Sequence, residues 1–140
     1  MTNPIYPCLW FDGKAKAAAE FYCSIFKNSK ITADTPMVVI FELNGRKFMG
    51  LNGGPQFKFN EAVSFVIDCE TQTEIDYYWS ALTKGGEESM CGWLKDQFGI
   101  SWQIVPTVLA KLMSDPKKGE RVMQVVMQSK KLDIEKLTNA

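Results

Sequence analysis

The sequence predicts an α+β fold: two tandem βαβββ modules, at about residues 4–54 and 62–107, followed by a helical tail at 108–140. Three observations predict it. The order strand, helix, strands occurs twice along the chain. Asn44-Gly45 separates two apolar runs, the strongest short-range hairpin signal. Thr71 and Glu74 form a T-x-x-E capping box that opens a helix in the second half. The halves share little residue identity, so the repeat lies in element order and apolar periodicity. A chain of 140 residues is enough for one domain with a real core and too short for two ordinary ones.

The elements follow in order. Ile5–Phe11 is apolar and aromatic and reads as a strand, and Asp12-Gly13 punctuates it. Lys14–Phe26 reads as a helix, because Ala15, Ala18, Ala19, Tyr22, Ile25 and Phe26 fall three and four apart on one face. Asn28 can end it in the left-handed conformation. Lys30–Ala33 reads as a short edge strand, Met37–Leu43 as a strand and Arg46–Leu51 as its return. A two-residue loop sets Glu42 against Lys47 and Phe41 against Phe48, an ion pair and an aromatic pair. Asn52–Asn60 is a loop and Ala62–Cys69 a strand. Ile75, Tyr78, Trp79 and Leu82 form the stripe of the second helix, and Gly85-Gly86 stops it. A short segment, Glu87–Met90, precedes the last hairpin. In the tail, Val108, Leu109, Leu112 and Met113 make one helical stripe and Val122, Met123, Val126 and Met127 another, with Asp115-Pro116 as the break. Packing on its own sheet is the simpler role for this tail; a dimer contact or a lid is the rival.

The last hairpin, GWLKDQFGISWQIVP at 92–106, carries most of the functional argument. Asp96 opens a turn and Gly99 closes it. Alternation along the outgoing strand puts Trp102 and Ile104 on one face and Ser101, Gln103 and Val105 on the other. Gln103 is thus a mid-strand amide among large apolar groups: a satisfied core amide or part of a ligand site.

Composition excludes several classes. Lys+Arg and Asp+Glu are 16 each, with no basic stripe, which argues against nucleic acid. No apolar run is long enough to span a membrane, and no secretory leader is seen, so the expected compartment is the cytoplasm. Histidine is absent, which removes the commonest general base and metal ligand. Cys8, Cys23, Cys69 and Cys91 form no CxxC pair and read as buried thiols in a reducing compartment.

Trp10, Phe57, Phe59, Trp93 and Trp102 are more aromatic surface than a minimal core needs. Ligand pockets are mostly apolar with a few polar groups. These rings are therefore candidate ligand-binding residues, with Asn52 and Gln103 as polar anchors; the other reading is an ordinary aromatic core. Trp79 lies on a helix stripe and reads as core. Cys91 is the one candidate nucleophile, with Lys95 two residues beyond Trp93, but it has no histidine to activate it. Tyr6, Tyr22 and Glu20 are acid–base candidates that no spacing selects.

PCLWFDGKAKAAAEFYCSIF, FMGLNGGPQFKF and GGEESMCGWLKDQFGISWQIVP together resemble one family over nearly the whole chain. It is the PhnB-like, 3-demethylubiquinone-9 3-methyltransferase-type branch of the vicinal oxygen chelate (glyoxalase/bleomycin-resistance) superfamily. The resemblance implies paired βαβββ modules cupped around a small-molecule pocket, and a homodimer. Metal-using relatives place His or Glu at four strand positions; here those positions match Tyr6 or Cys8, Leu51 or Asn52, Ser64, and Gln103. Many relatives have His where this chain has Gln56. A neutral amide is a poor substitute for a carboxylate on a hard divalent cation, so no metal is expected. S-adenosylmethionine usually needs a glycine-rich turn that opens a helix. Gly53-Gly54 follows a strand and Gly85-Gly86 ends a helix, so no cofactor is expected either.

The leading expectation is metal-independent binding of a small molecule in an aromatic pocket. The alternative is a divergent isomerase, lyase, dioxygenase or transferase. A third reading is a protein-interaction module that uses the Met-rich tail.

Overall fold

The structure is a computed structural model and describes residues 2–140. It is an α+β fold with the expected order of elements. The first module holds β1 (Cys8–Phe11), α1 (Ala15–Ile25), β2 (Lys30–Asp34), β3 (Val38–Leu43) and β4 (Arg46–Asn52). The second holds β5 (Ser64–Cys69), α2 (Gln72–Thr83), β6 (Glu87–Glu88), β7 (Trp93–Lys95) and β8 (Ser101–Pro106). The tail holds α3 (Leu109–Met113), α4 (Gly119–Gln128) and α5 (Ile134–Thr138). The chain divides into two compact units, one ending at Phe59 and one running Asn60–Ala140. Their sheets have equivalent strand orders, β1-β4-β3-β2 and β5-β8-β7-β6, with the outer pair parallel in each.

In the first unit, α1 lies on one face of its sheet. Ala15, Ala18, Ala19, Tyr22 and Ile25 are buried against Leu9, Phe11, Val39, Phe41 and Leu43. The helix face is rich in alanine, so it comes close: a Cβ on Gly50 would stand 3.1 Å from the Cβ of Ala15. The hairpin has the expected register, with Glu42 opposite Lys47 and Phe41 opposite Phe48, whose rings stack at 5.5 Å. Asn44 and Gly45 both take positive φ, 51° and 78°, as a primed turn requires. Asn28, at φ 51°, ends the helix region in the left-handed conformation. The first strand is shorter than its apolar run: Ile5 is fully exposed and regular pairing starts at Cys8.

In the second unit, α2 buries Ile75, Trp79 and Leu82 against Cys69, Leu94, Trp102 and Ile104. The capping box is complete. Thr71 accepts from Glu74 N, and Glu74 Oε1 accepts from Thr71 N at 3.0 Å. The tail is three short helices rather than two. Asp115 breaks between α3 and α4 by accepting from the amides of Lys117 and Lys118, at 2.8 and 3.0 Å. On α4 the buried stripe is Gly119, Val122 and Val126; Met123 and Met127 point outward and are exposed. Methionine hydrophobicity drew both into the expected stripe, but helical spacing turns them one position off it.

Val122, Val126, Leu132 and Leu137 form a small core beneath the tail. Polar clamps fix that core to the rest of its unit. Gln72 donates to Leu132 O at 3.1 Å and accepts from Ile134 N at 2.9 Å. Lys131 pairs with Asp76 at 2.8 Å. No helix among the described residues is long and apolar enough to cross a membrane.

Candidate functional site

The face of the second sheet that points away from α2 gathers the polar groups. As alternation requires, Trp102 and Ile104 are buried on the α2 side, while Gln103 and Val105 are half-buried on the other. The registers set Val66, Gln103 and Trp93 in one row across the sheet, and Ser64, Ser101, Lys95 and Glu87 in the next. Gln103 Nε2 donates to Ser64 Oγ at 2.9 Å. That bond fixes the amide with its nitrogen toward Ser64, and the register makes Trp93 its neighbour on β7. Lys95 pairs with Glu61 at 3.2 Å, and the ammonium holds the Glu61 carboxyl below its usual range. Val66, in the middle of this face, is 56% exposed.

Trp102 does not join that face. It is 4% exposed, and its Nε1 donates to Asp96 Oδ2 at 2.8 Å. The other oxygen, Oδ1, accepts from Phe98 N at 2.8 Å and Ile100 N at 3.1 Å. One buried carboxylate therefore closes the turn and pins the indole, and the spacing D-x-F-G-x-x-W follows from that geometry. Trp102 is a core residue in this structure, and Trp93 is the tryptophan that reaches the open face.

In the first unit, Asn52-Gly-Gly-Pro-x-Phe-Lys-Phe forms a lock around the end of β1. Lys14, the N-cap of α1, makes no side-chain cap bond, and Asn52 supplies one: its Oδ1 accepts from Ala15 N at 2.9 Å. Its Nδ2 donates to Pro36 O at 2.9 Å. Both ends of the amide are engaged with backbone, so Asn52 acts as a structural clamp. Gly53 lies flat against the Trp10 indole, where a Cβ would stand 2.3 Å from the ring. Trp10 Nε1 donates to Gly54 O at 2.8 Å, and Phe57 meets the Trp10 ring edge-on at 4.9 Å. Phe57 is 66% exposed, whereas Phe59 is half-buried edge-on against Phe11 at 5.5 Å. Of this motif, Trp10 and Phe57 offer ring surface; Asn52 and Phe59 serve the fold.

Cys91 takes positive φ, 64°, and its amide donates to Ser129 O at 2.6 Å. Its side chain packs against the small core of the tail, away from Lys95, which is engaged with Glu61. Tyr22 is a core residue, 1% exposed. Tyr6 lies beneath the Lys47 ammonium, 4.1 Å from its ring centroid. Cys8 is the exposed thiol, and Cys69 is fully buried. Burial, with the Glu74 and Asp68 carboxylates nearby, pushes the Cys69 thiol up to about 11. Because the thiolate is the reactive form, maleimide at pH 8 is expected to label Cys8 in the native protein and Cys69 only after denaturation. Peptide mass mapping checks this; equal labelling of the two would contradict the packing at Cys69.

The groups that the superfamily implies do not fit these residues. Ser64 and Gln103 bond to each other, and no group of three or more His, Cys, Asp and Glu able to hold a metal occurs among the described residues. Neither glycine pair cradles a nucleotide. Gly53 is filled by Trp10, and a Cβ on Gly86 would stand 2.1 Å from Lys95 O, so that glycine serves the close approach of the β6 entry to β7.

Sequence alternation was enough to set Gln103 and Ser101 on one face. Glu61, Glu87 and Ser64 join them only through the parallel register of β5 with β8 and the short β6–β7 pair, which local signals do not reveal.

Residues 3–105 match the family model described as 3-demethylubiquinone-9 3-methyltransferase. Among solved structures, the chain is similar to a putative 3-demethylubiquinone-9 3-methyltransferase, PhnB protein, from Bacillus cereus. The two share 32% identity with a TM-score of 0.68, over 75% of this chain and 100% of that one. It also resembles protein PA1353 from Pseudomonas aeruginosa (19% identity, TM-score 0.63, 75% of this chain and 98% of that). A glyoxalase-related enzyme from Fulvimarina pelagi shares the fold at 15% identity and a TM-score of 0.56, over 78% of this chain and 91% of that. No curated protein matches the chain. The family model ends at residue 105, so α3, α4 and α5 lie outside it.

Proposed function

Since the chain belongs to the 3-demethylubiquinone-9 3-methyltransferase family, the PhnB-like group of the glyoxalase fold, we propose that it binds a small molecule without a metal, on the helix-free faces of its sheets. One observation carries this reading: Gln103, oriented by Ser64 at 2.9 Å, stands beside the Trp93 ring on a face that α2 does not cover. A fixed acceptor next to an aromatic plane suits a planar or acyl ligand with an N–H or O–H donor. On the first sheet, Trp10 and Phe57 supply ring surface of the same kind. The reading includes a homodimer as the working unit, supported by the family resemblance, and a cytoplasmic location, the expectation from the sequence. The methyltransferase in the family's description is not carried over, because neither glycine pair opens a helix.

The test uses Gln103→Leu and Trp93→Ala, both at half-buried positions where the fold tolerates change. Protein purified without dialysis is denatured, and the released small molecules are quantified by mass spectrometry. Wild type is expected to release one organic compound in stoichiometric amount. Each variant is expected to release at least about tenfold less, the equivalent of one strong contact. Equal release from wild type and Gln103→Leu would contradict the proposal, as would no release from wild type.

A further inference from the structure

At the β6 edge of this sheet a hollow of about 130 Å³ is lined by Glu61, Glu87, Glu88, Trp93, Lys95 and Ser101. On the Ser101 side of the sheet two carboxylates, Glu61 and Glu87, meet one ammonium; Glu88 stands in the row of Leu94 and Trp102, on the other side. Lys95 is paired with Glu61 at 3.2 Å, whereas Glu87 and Glu88 have no ion pair among the described residues. That side of the hollow thus keeps one negative charge, Glu87, in excess.

A second, independent feature lies in its wall. Ser101 is 1% exposed, and its Oγ is buried with no hydrogen-bond partner. Native interiors rarely leave such a hydroxyl unpaired. The register puts Ser101 in the same row as Lys95 and Glu87, so all three side chains stand on the same side of the sheet. Trp93 adds an aromatic ring, whose negative face attracts cations.

We propose that this hollow takes the ammonium head of a small organic cation. Ser101 Oγ accepts one N–H, Glu87 balances the charge, and the Trp93 ring packs against the adjoining carbon atoms. The chain already solves this chemistry once, in the Lys95 ammonium seated on Glu61. The space suits a head group: about 130 Å³ holds roughly four waters, well short of a whole drug-sized ligand. A divalent metal is a poorer occupant, since its strict oxygen shell would have to form beside the Lys95 ammonium. The inference rests on the proposed function for where the body of the ligand lies, along the row of Val66, Gln103 and Trp93, and is independent of it for the charged head.

The test is an amide and indole NMR titration of the ¹⁵N-labelled full chain. Butylammonium chloride is compared with sodium chloride at equal ionic strength, and with magnesium chloride. Butylammonium is expected to shift the Ser101 amide and the Trp93 indole saturably, with a midpoint on the order of millimolar, as befits a fragment. Ser101→Ala and Glu87→Gln are each expected to weaken it by about tenfold, and Glu88→Gln, on the other side of the sheet, to leave it within about twofold. Glu87 is exposed, so its variant keeps the fold if Ser101→Ala does not. Shifts of equal size with sodium chloride would reduce the effect to screening and overturn the inference. Saturation by magnesium without butylammonium would do the same, as would no shift. Butylammonium binding that survives Gln103→Leu, with no retained compound in wild type, would sink the proposed function and leave this inference standing. A retained neutral compound with no butylammonium binding would do the reverse.

Discussion

Asp96→Ala is expected to cost about 4 kcal/mol of unfolding free energy, the sum of three buried donors left unpaired at about 1–3 kcal/mol each, less what relaxation recovers. The donors are Phe98 N, Ile100 N and Trp102 Nε1, at 2.8, 3.1 and 2.8 Å from the carboxylate. Asp96 is 3% exposed, so water cannot replace it without opening the turn. A loss of that size is a large share of the roughly 5–15 kcal/mol that holds a typical domain together. Urea unfolding at constant m measures it. Asp96→Asn is expected to lose about half as much, because its oxygen can still serve the two backbone amides while its NH₂ faces the indole N–H. Adding Trp102→Phe removes that clash of donors, and the double-mutant cycle should show a coupling of about 1 kcal/mol or more. Additive effects would mean that the carboxylate and the indole do not act together. The turn also holds the start of β8, so Asp96→Ala is expected to weaken whatever Gln103 binds.

Gly86→Ala is expected to cost about 3 kcal/mol, through a collision with backbone rather than through backbone conformation. A Cβ there would stand 2.1 Å from Lys95 O, 2.8 Å from Asp96 C and 2.9 Å from Asp96 Cα. None of those atoms can swing aside, so the segment entering β6 and the end of β7 must separate. Gly99→Ala is the control. Its φ is +87°, but nothing lies within 4 Å of the new methyl. It is expected to lose only about 1–2 kcal/mol, the penalty of a left-handed alanine. The same urea series compares the two; a cost for Gly86→Ala no greater than for Gly99→Ala would contradict the close approach of the β6 entry to the end of β7.

What the sequence made legible was local chemistry. Asn44-Gly45 specifies a primed turn by itself, and a two-residue turn leaves one register, so Glu42–Lys47 and Phe41–Phe48 followed at once. The capping box at Thr71 and the alternation of Ser101–Val105 are likewise properties of a few adjacent residues. What stayed hidden depends on distant partners. Asn52 looks like a ligand anchor in sequence, and only the fold reveals that it caps a helix starting 37 residues earlier. Trp102 and Trp93 are alike in composition; the carboxylate of Asp96 claims the first and leaves the second on the open face. The third tail helix, Ile134–Thr138, is too short for periodicity to show, and its Asp133 cap is the one local sign of it. The acidic hollow needed the pairing of β6 with β7, a strand of two residues that no pattern announces.

Native mass spectrometry of gently purified protein tests the central claim most directly, since one spectrum reports bound metal and bound organic compound together. The account predicts a chain that carries a small organic adduct and no stoichiometric divalent metal. A spectrum with one divalent metal per chain and no organic adduct would contradict it: Ser64 and Gln103 would then be ligands after all, and metal-assisted catalysis would replace binding as the function.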